Sequence, residues 1–148
     1  MTPSAELVEF VAGWEGFRSE AYLDMVGIPT IGFGQTRGVR MGDTITLEDA
    51  LRDLESTLTR FGKQLQAFMR REPEQQQFDA LLSLAYNCGV IRIGESGVMA
   101  RFNRGADEEC ADRFLWWNKA GGRVVTGLTS RRQAERAIYL DGDYSGRP

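Results

Sequence analysis

Leu7, Val8, Val11 and Ala12 recur at helical spacing behind Ser4, a side chain suited to capping, and predict a short helix over residues 4–13. Gly13 weakens the pattern at its end. From Arg18 to Gln35 the period changes. Ala21-Tyr22-Leu23, Asp24-Met25-Val26-Gly27 and Thr30-Ile31-Gly32-Phe33-Gly34 read as short strands joined by tight turns, so a β-meander of two or three strands is expected. So small a sheet must pack on helix.

Helical spacing then returns. Leu47, Leu51, Leu54, Leu58, Phe61, Leu65 and Phe68 follow one another at intervals of 3 or 4, behind a capping Thr46 and the acidic Glu48 and Asp49. This stripe predicts a helix of about 22 residues and about 33 Å, with Gly62 as a candidate bend. Pro73 suits the first turn of another helix carrying Phe78, Leu81, Leu82, Leu84 and Ala85, interrupted at Asn87, Gly89 and Gly94. Short helices are expected at Val98–Phe102 and Glu108–Trp117. A loop is expected at Lys119–Gly122, and a last helix capped by Thr129 carries Ala134, Ala137, Ile138 and Leu140. Gly142, Gly146 and Pro148 suggest a fraying tail. The fold class is α+β. It comprises an N-terminal helix and β lobe (1–45), a connecting helix (46–70) and a mostly helical lobe (71–148), within one domain.

Composition narrows the chemistry. The chain has 148 residues and no histidine, which excludes Ser-His-Asp triads and His-bound zinc. Acid–base work must fall to carboxylates, Lys, Tyr or Cys. The formal charge of −3 argues against wholesale phosphate binding, hence no nucleic-acid partner. It also gives no bulk attraction to an anionic polymer, so recognition is expected to depend on a cleft. Cys88 and Cys110 cannot form a disulfide framework and are expected to be buried free thiols, with a single bridge as the alternative. No apolar run is long enough to span a bilayer. Met1–Trp14 holds Glu6 and Glu9 but no Lys or Arg, so neither a signal peptide nor an anchor is expected there.

Within Trp14–Gly34, Glu15 ends an amphipathic helix, Asp24 sits at a turn and Thr30 begins a strand. Folding the hairpin onto the helix would gather them at one cleft. Two carboxyl groups flanking a scissile bond are what glycoside hydrolysis requires. An apolar helix end raises the pKa of a Glu and suits the proton donor; a polar turn keeps an Asp ionised and suits the base.

The run also resembles the signature of the phage-type lysozymes, glycoside hydrolase family 24, in its lambdoid branch. A Glu is followed by eight residues, an Asp, five residues and a Thr, as at Glu15, Asp24 and Thr30. The flanks match as well: Gly16, Arg18, Tyr22 and the Thr30-Ile31-Gly32-Phe33-Gly34 block. Ala85-Tyr86-Asn87, Gly94–Val98, Trp117–Gly122, Gly127-Leu128 and Arg131-Arg132 extend the likeness over residues 5–141. The resemblance implies a lysozyme-like fold and hydrolysis of the β-1,4 bond between N-acetylmuramic acid and N-acetylglucosamine, usually with inversion. Glu15 would be the general acid, Asp24 the group that positions or activates water, and Thr30 a second holder of that water. No metal and no cofactor are implied. One departure is Gln35, where the family commonly has His. Gln carries no charge, so any pH-dependent ion pair there should be absent.

Around this core, Phe33 and Gly34 are expected to line the cleft, with Glu95 and Asn118 as candidates to bond sugar or stem peptide. Arg18 either lies near the carboxylates or is an ordinary surface residue. Arg131 or Arg132 either pairs with Glu15 or makes helix-surface bridges. Tyr22 is expected to pack with its hydroxyl bonded, and Trp116 and Trp117 to be core rather than sugar platforms. The partner expected is the peptidoglycan glycan strand, with no stable membrane association. The enzyme is expected to be monomeric, to accumulate in the host cytoplasm and to depend on a holin lesion to reach a thin, Gram-negative wall. A lytic transglycosylase, a non-catalytic peptidoglycan-binding module and a tail-spike lysozyme domain are the competing readings.

Overall fold

Ser4 accepts a hydrogen bond from Leu7 N at 3.1 Å and starts helix α1, Ala5–Glu15. The computed structural model describes residues 1–148. Strands β1 (Arg18–Leu23) and β2 (Pro29–Gly32) pair antiparallel, with Tyr22 opposite Thr30 and Leu23 opposite Pro29. The sheet has these two strands, and single bridges join Glu20 to Thr44 and Ile31 to Gln35. Asp24–Gly27 is the turn between the strands and not a strand itself. Asp24 closes it through its own backbone, its N–H donating to Ile28 O and its carbonyl accepting from Gly27 N, each at 3.0 Å.

Thr46 caps helix α2, Leu47–Gln66, as its spacing predicted. The helix runs through Gly62 without ending there. That glycine is buried, and a Cβ there would stand 2.9 Å from the ring of Phe78, so its role is close helix packing rather than a bend.

Helix α3 (Gln75–Cys88) is the centre of the molecule. Every residue from Gln77 to Ala85 is buried, because α1, α2, α4 (Val90–Gly94) and α7 (Thr126–Asp141) pack around it. Pro73 lies outside the helix. Glu74 precedes the first turn, and its N–H donates to the Gln77 side chain at 3.0 Å. The interruption expected at Asn87, Gly89 and Gly94 is present: α3 ends at Cys88, Gly89 breaks the chain at φ 106°, and the short helix α4, which the spacing did not predict, ends at Gly94.

Helices α5 (Gly97–Asn103) and α6 (Asp107–Phe114) follow, then a small hairpin of β3 (Lys119–Ala120) and β4 (Arg123–Val124) where a loop was expected. Its four residues are too few for a period to show. Helix α7 begins at Thr126 rather than after Thr129, whose hydroxyl accepts from the Asn118 side chain at 3.1 Å. Cys88 and Cys110 are both free thiols, Cys110 buried and Cys88 half-buried. Burial raises both pKa values, that of Cys110 to about 11.

A helix buried all round must satisfy its own polar side chains. Asp79 of α3 is fully buried and accepts from Ser4 N and Oγ, Gln75 Nε2 and Tyr144 Oη. The tail expected to fray is thus tied down by Tyr144. Ser83 donates to Glu135 of α7 at 2.6 Å. Glu135 is wholly buried and is paired by Arg132 Nε at 2.6 Å and Arg131 Nε at 3.5 Å. Arg132, also wholly buried, donates further to Trp117 O, Asn87 Oδ1 and Cys88 Sγ.

Arg132→Met leaves the Glu135 charge short of its nearest cation and should cost about 3–5 kcal/mol in urea unfolding; the double variant Arg132→Met/Glu135→Leu should recover most of it. At Gly94 a Cβ would stand 2.4–2.7 Å from the Phe68 ring. Gly94→Ala should therefore lose about 1–3 kcal/mol by calorimetry, and Phe68→Leu should relieve part of that loss.

Candidate active site

Helix α1 delivers Glu15 as its last residue. Gly16 then turns the chain at φ 74°, a conformation that costs other residues energy, and its N–H donates to Ala12 O at 3.0 Å. Glu15 is three-quarters buried and is held by Arg131 Nη1, 3.3 Å from Oε2. Arg131 reaches it from α7 with a side chain that is 5% exposed. The expectation that one of this Arg pair meets Glu15 thus holds for Arg131. Arg132 acts one step removed, by neutralising Glu135. Neither makes a helix-surface bridge. The four groups Glu15, Arg131, Glu135 and Arg132 together carry no net formal charge.

Glu15 opens into a cavity of about 350 Å³ between the two lobes. Phe33, Gly34 and Gln35 line it from the loop after β2, Arg60 and Phe61 from α2, and Tyr86 from α3. Phe33 and Gly34 are therefore where the cleft reading places them. Phe33 is buried and its ring lies 5.5 Å from that of Phe17. Gln35 closes the loop through its backbone: Ile31 N donates to Gln35 O at 2.9 Å and Gln35 N to Ile31 O at 2.8 Å. Its side-chain Nε2 is buried without a hydrogen-bond partner.

Asp24 and Thr30 sit together at the turn end of the β1–β2 hairpin and do not line this cavity. Asp24 Oδ1 accepts from Val26 N at 3.0 Å and Ile28 N at 2.8 Å, which fixes the carboxylate and leaves Oδ2 without a protein partner. Thr30 is buried and spends its hydroxyl proton on Ile28 O at 2.9 Å. Its oxygen therefore faces any further partner as an acceptor. Arg18 pairs with neither carboxylate. Its guanidinium lies over the Tyr22 ring, 4.3 Å from the centroid, and the Tyr22 hydroxyl makes no hydrogen bond within the protein.

The remaining candidates lie elsewhere. Glu95 is exposed at the end of α4, and Asn118 is tied to Thr129. Neither lines the Glu15 cavity. Trp116, expected in the core, is 67% exposed beneath the Arg113 guanidinium at 3.5 Å. With Trp117, Arg92, Arg113 and Lys119 it borders a second cavity of about 670 Å³ in the helical lobe that no acidic residue lines. Nowhere are three or more His, Cys, Asp or Glu side chains grouped to hold a metal ion.

Tyr86 was visible in the sequence as part of Ala85-Tyr86-Asn87 but carried no signal of a place in the site. In the structure its hydroxyl donates to Phe33 O at 3.3 Å. Burial foremost, then the nearby Glu15 charge, pushes its pKa up to about 12, against the opposing pull of Arg131.

Residues 12–135 match the sequence profile of the family described as phage lysozyme. The chain is 38% identical over 131 residues to the endolysin of Salmonella phage P22, covering 85% of this chain and 89% of that one. It is 33% identical over 142 residues to the endolysin of Bacillus phage B103, covering 92% of this chain but only 53% of the longer protein. Among solved structures, the endolysin from Escherichia coli O157:H7 phage FAHEc1 superposes with a TM-score of 0.89 at 35% identity, covering 97% of this chain and 96% of that one. The profile match takes in Glu15, the hairpin and the buried arginine pair of α7, and the chain belongs to the phage lysozyme family: it is a lysozyme-type glycoside hydrolase, a phage endolysin.

Proposed function

We propose that the chain hydrolyses the β-1,4 bond between N-acetylmuramic acid and N-acetylglucosamine by inversion, with Glu15 as general acid and Asp24 as general base. The unlike settings of the two carboxyl groups carry this reading. Glu15 is recessed in the interlobe cavity with Arg131 behind it, so its remaining oxygen faces the leaving group. Asp24 is fixed through Oδ1 and offers Oδ2 to solvent at the hairpin end. A water molecule giving one proton to Asp24 Oδ2 and the other to Thr30 Oγ1 keeps a lone pair for the anomeric carbon. Attack breaks the glycosidic bond as Glu15 protonates the departing oxygen, and Asp24 takes the proton that the water gives up.

The substrate lies outside the cytoplasmic membrane, and no helix of the chain is long and apolar enough to cross one. We propose that the enzyme accumulates in the host cytoplasm and reaches the glycan through a holin lesion, acting as a monomer.

Glu15→Gln keeps an oxygen for Arg131 but has no proton to give. It should reduce release of reducing ends from purified peptidoglycan by about 10²–10⁴-fold with little change in thermal unfolding. Asp24→Asn should fall in the same range, and Thr30→Ala by a smaller factor. Early NMR of the wild-type digest should show the α anomer first; anhydro ends in the mass spectrum would make the enzyme a transglycosylase instead.

A further inference from the structure

We infer that Tyr86 is a positioning residue of the cleft: its hydroxyl holds the Phe33 carbonyl, and so fixes the Phe33–Gly34 backbone along which the glycan lies beside Glu15. This rests on the glycosidase reading of that cavity.

Tyr86 stands in the last turn of α3, in the helical lobe, and Phe33 follows β2 in the hairpin lobe. The 3.3 Å bond between them is the one hydrogen bond joining residues 16–45 to residues 71–148. The Tyr86 ring is steadied by Phe61 of α2, 5.9 Å between centroids, so its hydroxyl comes from a fixed base. The receiving end is equally constrained. Phe33 lies inside the loop that the two Ile31–Gln35 backbone bonds close, and its ring is anchored on Phe17. Holding that carbonyl therefore holds the whole loop. Gly34, next in the chain, is exposed and lacks a side chain, so its backbone is open to a sugar.

A phenol has one proton. Tyr86 gives it to Phe33 and has none left to donate to Glu15, which makes its role positioning rather than catalytic. Its burial beside Glu15 keeps it protonated through neutral and moderately alkaline pH, so the bond is a permanent clasp and not a switch. Glu15 is fixed to the helical lobe through Arg131, while the loop belongs to the hairpin lobe. Without the clasp, the wall shifts relative to the acid. A wall that binds substrate and transition state alike affects mainly KM.

The test compares Tyr86→Phe with Tyr86→Leu on soluble peptidoglycan oligomers of defined length. Tyr86→Phe should raise KM by about 5–20-fold, with kcat within about threefold of wild type and unfolding within a few degrees. Tyr86→Leu, which also loses the ring, should be worse in both kinetics and stability. In a Glu15→Gln background, calorimetric affinity for the uncleaved oligomer should drop by the same 5–20-fold when Tyr86→Phe is added. Wild-type kinetics and affinity in the Phe variants would overturn the inference, as would a fall in kcat at constant KM. Should wild type release no reducing ends at all, the glycosidase reading fails, while the binding comparison still decides whether the clasp shapes the cleft.

Discussion

A wholly buried carboxylate, Glu135, sets the terms for the helical lobe and through it for the active site. An ionised group removed from water is tolerated only with close partners. Glu135 has Ser83 from α3 and both Arg131 and Arg132 from its own helix. Two cations for one anion leave charge over. Arg132 also donates to the Asn87 side chain at the end of α3 and to the Trp117 carbonyl beyond α6, and Arg131 reaches Glu15. The acid of the cleft is thus the outermost member of a buried ionic chain.

This arrangement divides the groups proposed for catalysis between two bodies. Helix α1 is pinned to the helical lobe at both ends, by Ser4 on Asp79 and by Glu15 on Arg131. With 11 residues it spans about 16 Å, so two polar anchors fix where Glu15 stands. Asp24 and Thr30 ride instead on a hairpin whose polar bonds are almost all internal. The cleft geometry then depends on how the hairpin lobe is held against α3, and a single phenol makes the polar part of that attachment.

Net charge misleads about the same region. The chain is formally −3, yet the cavity at Glu15 has that residue as its one acid beside Arg37 and Arg60. The larger cavity of the helical lobe carries Arg92, Arg113 and Lys119 with no acid. The anionic residues lie largely on outer faces, such as Glu48 and Asp49 against Arg52. What an anionic polymer meets on approach is the local field of the clefts, not the sum over the chain.

Much of the molecule was legible in its sequence wherever a local rule governs. Ser4 and Thr46 cap the helices they were expected to cap, the α2 stripe faces the core, and the Glu15–Asp24–Thr30 spacing falls on a helix end, a turn and a strand. Local rules failed where partners are distant along the chain. Gly62 looks like a bend until Phe78 is seen filling the space its missing Cβ leaves. The glycine-containing tail looks loose until Tyr144 is found on Asp79. Trp116 looks like core until α6 is seen to end at Phe114, leaving Trp116 beyond it at the surface beneath Arg113. By itself, then, the sequence determined the longer helices, the β1–β2 hairpin and the two candidate carboxyl groups, because caps, periods and spacings act over a few residues. Tertiary structure alone decided that Arg131 rather than Arg132 meets Glu15, that Glu135 is buried between them, and that Tyr86 reaches Phe33. The bonds of Arg131 to Glu15, of Ser83 to Glu135 and of Tyr86 to Phe33 join residues 52 or more apart, and only the packed fold brings them within hydrogen-bonding distance.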